Sequence, residues 1–126
     1  MSKISINYIG HSHNDWIRSL DFYKMEIGIL KNRLTEIGGK NSNEEVSTGL
    51  EHFENQFLIQ QVNMDALKAA IHEHIHEMSV QAAASQGHVD SSYRDQHAQL
   101  HEKYELQEKV VNDLRQEFNR FSATWM

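Results

Sequence analysis

The chain has 126 residues, a formal net charge of −6, no cysteine and no proline. This length predicts one domain, residues 1–126, with a hydrophobic core of its own. Without cysteine there is no disulfide, thiolate metal site or cysteine nucleophile, and the composition fits a reducing cytoplasm. The negative charge argues against a nucleic-acid partner, because phosphate groups would be repelled.

The sequence does not have the features of a membrane protein. The first ten residues lack the basic start and the apolar stretch of a signal peptide. No apolar run approaches the length of a transmembrane helix. We therefore expect a soluble cytoplasmic protein without a membrane partner.

The N-terminal segment alternates apolar and polar residues at Ile4, Ile6 and Tyr8, which predicts an extended segment over residues 1–12. Ser12, followed three residues later by Asp15, has the pattern of a helix start. Gly38-Gly39 is typical of a left-handed helix end. Together these signals predict a first helix over about 13–37.

Two further helices follow from the same kind of signal. Ser42 and Glu45 have the spacing of a capping box, and Gly87 marks a stop, so a second helix is predicted over about 43–85. Ser92 with Asp95 predicts the start of a third helix over about 91–125.

Each predicted helix carries an apolar stripe whose steps alternate between three and four residues. In the first helix the stripe consists of Trp16, Leu20, Tyr23, Ile27, Leu30, Leu34 and Ile37. Such a seven-residue period is typical of coiled-coil-like packing, and short loops make successive helices antiparallel neighbours. The sequence therefore predicts an all-α, antiparallel three-helix bundle.

Histidines lie on or beside the stripes at one end of this bundle. His13, His74 and His97 are predicted to point inward from different helices, and His101 lies one turn beyond His97. Imidazole is a common ligand of transition metals, so one hypothesis is a zinc or iron site. The alternative is a set of structural core histidines with hydrogen-bond partners, and no cofactor. A third interpretation is a bundle that responds to pH.

The first two helices carry more apolar residues than one stripe requires. Phe22, Met25 and Ile29 form a second row on the first helix, and Leu58 and Val62 form one on the second. Two apolar sides on one helix indicate two packing partners. No set of catalytic residues is visible. The sequence therefore predicts a non-enzymatic binding or assembly protein that forms a homo-oligomer, with a dimer favoured and another protein partner as the alternative.

Overall fold

The computed structural model describes residues 4–84 and 88–126, with side chains for 12–84 and 90–126. The elements in chain order are β1 (Ile4–Ser5), α1 (Ile6–Lys40), α2 (Glu44–Ala84), β2 (His88–Val89) and α3 (Ser91–Trp125). Each helix packs against the other two, which confirms the predicted three-helix bundle. None of the helices in these ranges is long and apolar enough to cross a membrane.

The core follows the predicted stripes. Leu20, Ile27, Phe57 and Phe118 are at most 1% exposed, and they come from all three helices. Burying one such side chain stabilises the fold by about 1.5–3 kcal/mol. One core level is polar: the Gln107 amide donates to the Gln60 side-chain oxygen at 2.8 Å, and both residues are buried.

The ends of α1 differ from the prediction. The helix begins at Ile6, so the predicted extended segment over 1–12 was wrong beyond Ser5, and Ser12 with Asp15 lies inside the helix. Gly38 and Gly39 also lie inside it, and neither has a left-handed backbone. A glycine cap is unnecessary because the Asn41 amide donates to the carbonyl oxygens of Ile37 and Trp125, at 2.9 and 3.0 Å.

The start of α2 is also corrected by one residue. Asn43, not Ser42, is the cap: its Oδ1 accepts a hydrogen bond from the Val46 backbone N–H at 2.8 Å. Asparagine is a strong N-cap residue. Glu44 and Glu45 follow in the first turn, where their charges favour the helix dipole.

The third helix spans Ser91–Trp125, the predicted range, and Ser92 lies inside it. Asp90 occupies the N-cap position without a side-chain capping bond, and its carbonyl accepts the Tyr93 N–H at 3.0 Å. Beside this helix start, β1 pairs antiparallel with β2, with Ile4 opposite Val89. The predicted stop at Gly87 lies outside the described residues.

Candidate functional site

The histidine cluster, which we define as His13, His74 and His97, joins one side chain from each helix. His13 lies two turns into α1, His97 lies near the start of α3, and His74 lies in the last third of α2. His13 is fully buried, His74 is 4% exposed and His97 is half-buried. The apolar period carries these side chains inward, because each histidine occupies a stripe position.

One nitrogen lies at the centre of the cluster. His13 Nε2 is 3.2 Å from His97 Nδ1 and 3.4 Å from His74 Nδ1. The outer nitrogens, His13 Nδ1 and His74 Nε2, are buried and have no hydrogen-bond partner in the described part of the chain. A neutral imidazole has one donor and one acceptor. The arrangement therefore cannot satisfy every nitrogen in any tautomer.

This environment disfavours positive charge. Burial lowers the pKa of His13 to about 3, and repulsion by His97 and His74 contributes. Burial also lowers the pKa of His74, against smaller opposing effects of the Tyr93 backbone and Glu77. For His97, burial again lowers the pKa, and charges on His74 and His101 act in the same direction. All three imidazoles are therefore neutral near pH 7.

An aromatic stack covers the cluster on one side. The Trp16 ring stacks on His97 with a centroid distance of 4.8 Å and on His101 at 5.5 Å. It also stacks on Tyr104 at 5.7 Å. His101 is exposed, and its Nε2 is 2.8 Å from Glu105 Oε1. The structure thus brings together three of the four histidines predicted as metal ligands, and it places His101 in a separate surface pair.

Among the side chains described, no group of three or more histidine, aspartate or glutamate residues has the geometry of a metal site. The zinc or iron site at His13, His74, His97 and His101 therefore stays a prediction. Elemental analysis of untagged protein tests it, repeated after His74→Ala and after His97→Ala. Stoichiometric metal that is lost in both variants would support a site, and its absence would exclude one.

A second feature lies on the outside of α1 and α2. The apolar face, as we call it, consists of exposed side chains at 52–61% exposure: Phe22, Met25, Ile29, Leu58 and Val62. Two ion pairs, Lys24 with Asp65 and Lys68 with Asp21, connect α1 and α2. They show which residues of the two helices lie at the same height along the bundle. Met25 and Ile29 are thereby level with about residues 60–64 of α2. The two rows predicted from the sequence therefore lie at one height of the bundle.

Sequence reasoning missed a groove between α2 and α3. A cavity of about 420 Å³ lies there, lined in part by Ala66, Ala70, Leu106 and Val110. Leu106 is 62% exposed, and Ile59 on α2 is 46% exposed. The signal was weak because each is a single large apolar residue on a polar flank, without the second row that drew notice to Phe22 and Ile29.

Comparison of the chain with protein-family models, with curated proteins and with solved structures finds no match.

Proposed function

We propose that this protein is an assembly module that joins a second copy of itself through the apolar face. One observation carries the proposal: five large apolar side chains, each more than half exposed, lie at one level of two neighbouring helices. Large apolar side chains that are exposed together are typical of protein interaction sites. In a dimer with two-fold symmetry the same patch is buried on both copies, so each of these side chains contributes twice to the apolar area of the interface.

The charges between the two rows of the apolar face favour this occupant. Two cation–carboxylate pairs, Lys24 with Asp65 and Lys68 with Asp21, lie along the junction of α1 and α2. Because these charges are paired within one copy, an approaching identical surface meets no excess of one sign there. A depression of about 370 Å³ lies beside Leu58 between Lys31, Thr35 and Glu54, and it offers room for a bulky apolar side chain of the second copy.

The test is the oligomeric state, measured by sedimentation velocity over about 1–100 µM protein. This range is used because the fraction of dimer depends on protein concentration. We expect a dimer for the wild type and a monomer for the double variant Phe22→Glu/Ile29→Glu. The matched control is Val80→Glu/Leu106→Glu, which introduces the same charges at side chains that are both 62% exposed elsewhere. The control should remain dimeric.

Each other outcome is decisive. A wild-type monomer over the whole range removes the proposal. A dimer that survives Phe22→Glu/Ile29→Glu shows that another surface associates. If only the control dissociates, the groove between α2 and α3, which contains Leu106, is the interface instead.

A further inference from the structure

The histidine cluster packs near one end of the bundle, and two of its buried nitrogens, His13 Nδ1 and His74 Nε2, have no hydrogen-bond partner among the described residues. We propose that it is an acid-sensitive closure: proton uptake at His13, His74 and His97 opens the end formed by the start of α1, the end of α2 and the start of α3. The proposal concerns a different part of the molecule from the apolar face and does not depend on self-association.

The geometry explains why one proton is enough to disturb the packing. His13 Nε2 faces the Nδ1 atoms of both His97 and His74, at 3.2 and 3.4 Å. A protonated His13 also carries an N–H at Nδ1, which is buried without an acceptor among the described residues. A protonated His74 carries an N–H at Nε2, which has no hydrogen-bond partner within the described distances, and the Tyr93 backbone offsets its burial only in part. A proton on His13 or His74 therefore adds a buried charge and a poorly satisfied donor among the described residues, and opening to water relieves both.

Charged and titratable groups surround the cluster on all three helices. They are Asp15 and Arg18 on α1, Glu73 and Glu77 on α2, and Tyr93, His101, Lys103 and Glu105 on α3. Asp15 is paired with Arg18 and Glu105 with His101. Glu77 attracts a proton to His74, but burial outweighs that attraction. The surrounding carboxylates therefore do not remove the penalty for charging the cluster.

The direction and the pH window follow from proton linkage. In the opened end His13 binds a proton with the ordinary pKa of 6.5, whereas in the closed bundle its pKa is about 3. The opened state thus binds more protons, and closure weakens as pH falls below 6.5. Between about pH 7.5 and pH 5, His13 alone raises the opening equilibrium about 30-fold. His74 and His97, whose pKa values are also lowered by burial, act in the same direction.

Two other histidines contact glutamates at the surface. His101 Nε2 is 2.8 Å from Glu105 Oε1, and His52 Nε2 is 2.7 Å from Glu117 Oε1. Both pairs are exposed, and exposed ion pairs contribute little to stability. The response should therefore be local to the cluster.

Hydrogen exchange measured by mass spectrometry at about pH 5 and pH 7.5, corrected for the intrinsic pH dependence of exchange, tests the proposal in the full chain. We expect protection of residues 12–20 and 70–80 to fall by about 30-fold or more at the lower pH. Residues 46–57 and 111–121, at the other end, should change less than about threefold. Equal loss at both ends, or no loss at the histidine end, overturns the proposal.

The variants separate the cluster from a general acid effect. His13→Gln/His74→Gln removes two buried titrating groups, and His72→Gln/His76→Gln removes two exposed ones from the same helix region. Only the first pair should reduce the pH-dependent loss of protection. If that pair does not fold, His97→Gln at the half-buried position serves instead, with the same expected direction. An unchanged pH response in the cluster variant that folds, or a reduced response in the control, overturns the proposal.

Discussion

Replacing Gly49 by alanine tests how tightly the aromatic end of the bundle is packed. Gly49 lies inside α2, where glycine normally destabilises a helix by about 0.5–1 kcal/mol relative to alanine. A Cβ at this position would overlap Cε1 of Phe121 and lie 2.7 Å from its Cζ. Gly49 is therefore required because the Phe121 ring of α3 leaves no space for a side chain, and not because of the backbone conformation of Gly49.

The size of the effect follows from two opposing contributions. Alanine recovers the helix propensity, but inserting a methyl group into a packed site costs about 1–3 kcal/mol. The Phe121 ring has limited room to move because it packs on Phe53 at a centroid distance of 5.1 Å and on Phe118 at 6.3 Å. We expect Gly49→Ala to lower the free energy of unfolding by about 1–2 kcal/mol net.

The assay is urea denaturation followed by far-ultraviolet circular dichroism at one protein concentration. The matched control is Gly39→Ala, because a Cβ there meets nothing within 4 Å, and it should be neutral or stabilising by up to about 1 kcal/mol. Phe121→Leu should reduce the cost of Gly49→Ala, since the two side chains share one space. If Gly49→Ala is as stable as Gly39→Ala, the close packing inferred for this end is wrong.

Two further predictions concern polar contacts that fix the ends and the register. Gln60→Leu should lower the free energy of unfolding by about 1–3 kcal/mol because it leaves the buried Gln107 amide without its partner, whereas Gln60→Leu/Gln107→Leu should recover most of that loss. A double variant no more stable than the single one would contradict this, again by urea denaturation. Asn43→Ala should cost about 1 kcal/mol through loss of the cap to Val46, and Ser42→Ala should be near neutral. Equal costs for the two would show that the cap is misassigned.

The core and the inward histidines could be predicted from the sequence because both depend on period alone. A residue such as Phe57 or Leu20 is buried wherever its helix lies, provided that the stripe faces the other two helices. His74 and His97 occupy stripe positions, and His13 extends the stripe of α1 by one step. The same reasoning placed His101 only one turn away, but it did not show that His101 would stack on Trp16 and contact Glu105 at the surface.

The helix ends could not be predicted with the same success, because different local signals compete there. Ser12 and Ser42 both have capping sequences, yet α1 begins upstream of the first and Asn43 caps α2 in place of the second. The end of α1 depends on the Asn41 contact with the Trp125 carbonyl, 84 residues away in sequence. A contact of that kind exists only after the bundle has formed, so no local pattern of glycines reveals it.

The acid response and the self-association should be separable. His13 precedes Phe22 by nine residues on α1, which is about 13 Å along a helix axis. On either side of Phe22, Asp21 pairs with Lys68 and Lys24 pairs with Asp65. These contacts between α1 and α2 contain no imidazole of the cluster, so opening of the histidine end should stop before it reaches the apolar face.

We therefore expect sedimentation at about pH 5 to give the same oligomeric state as at pH 7.5, under conditions where hydrogen exchange already reports opening at residues 12–20. Dissociation in parallel with that loss of protection would show that α1 unfolds past Phe22. The first half of the helix would then be one cooperative unit, because the contact of Asp21 with Lys68 would depend on the closed cluster. His13→Gln/His74→Gln distinguishes this outcome from direct titration of the interface, since it should abolish a dissociation that starts at the cluster and leave one that starts elsewhere.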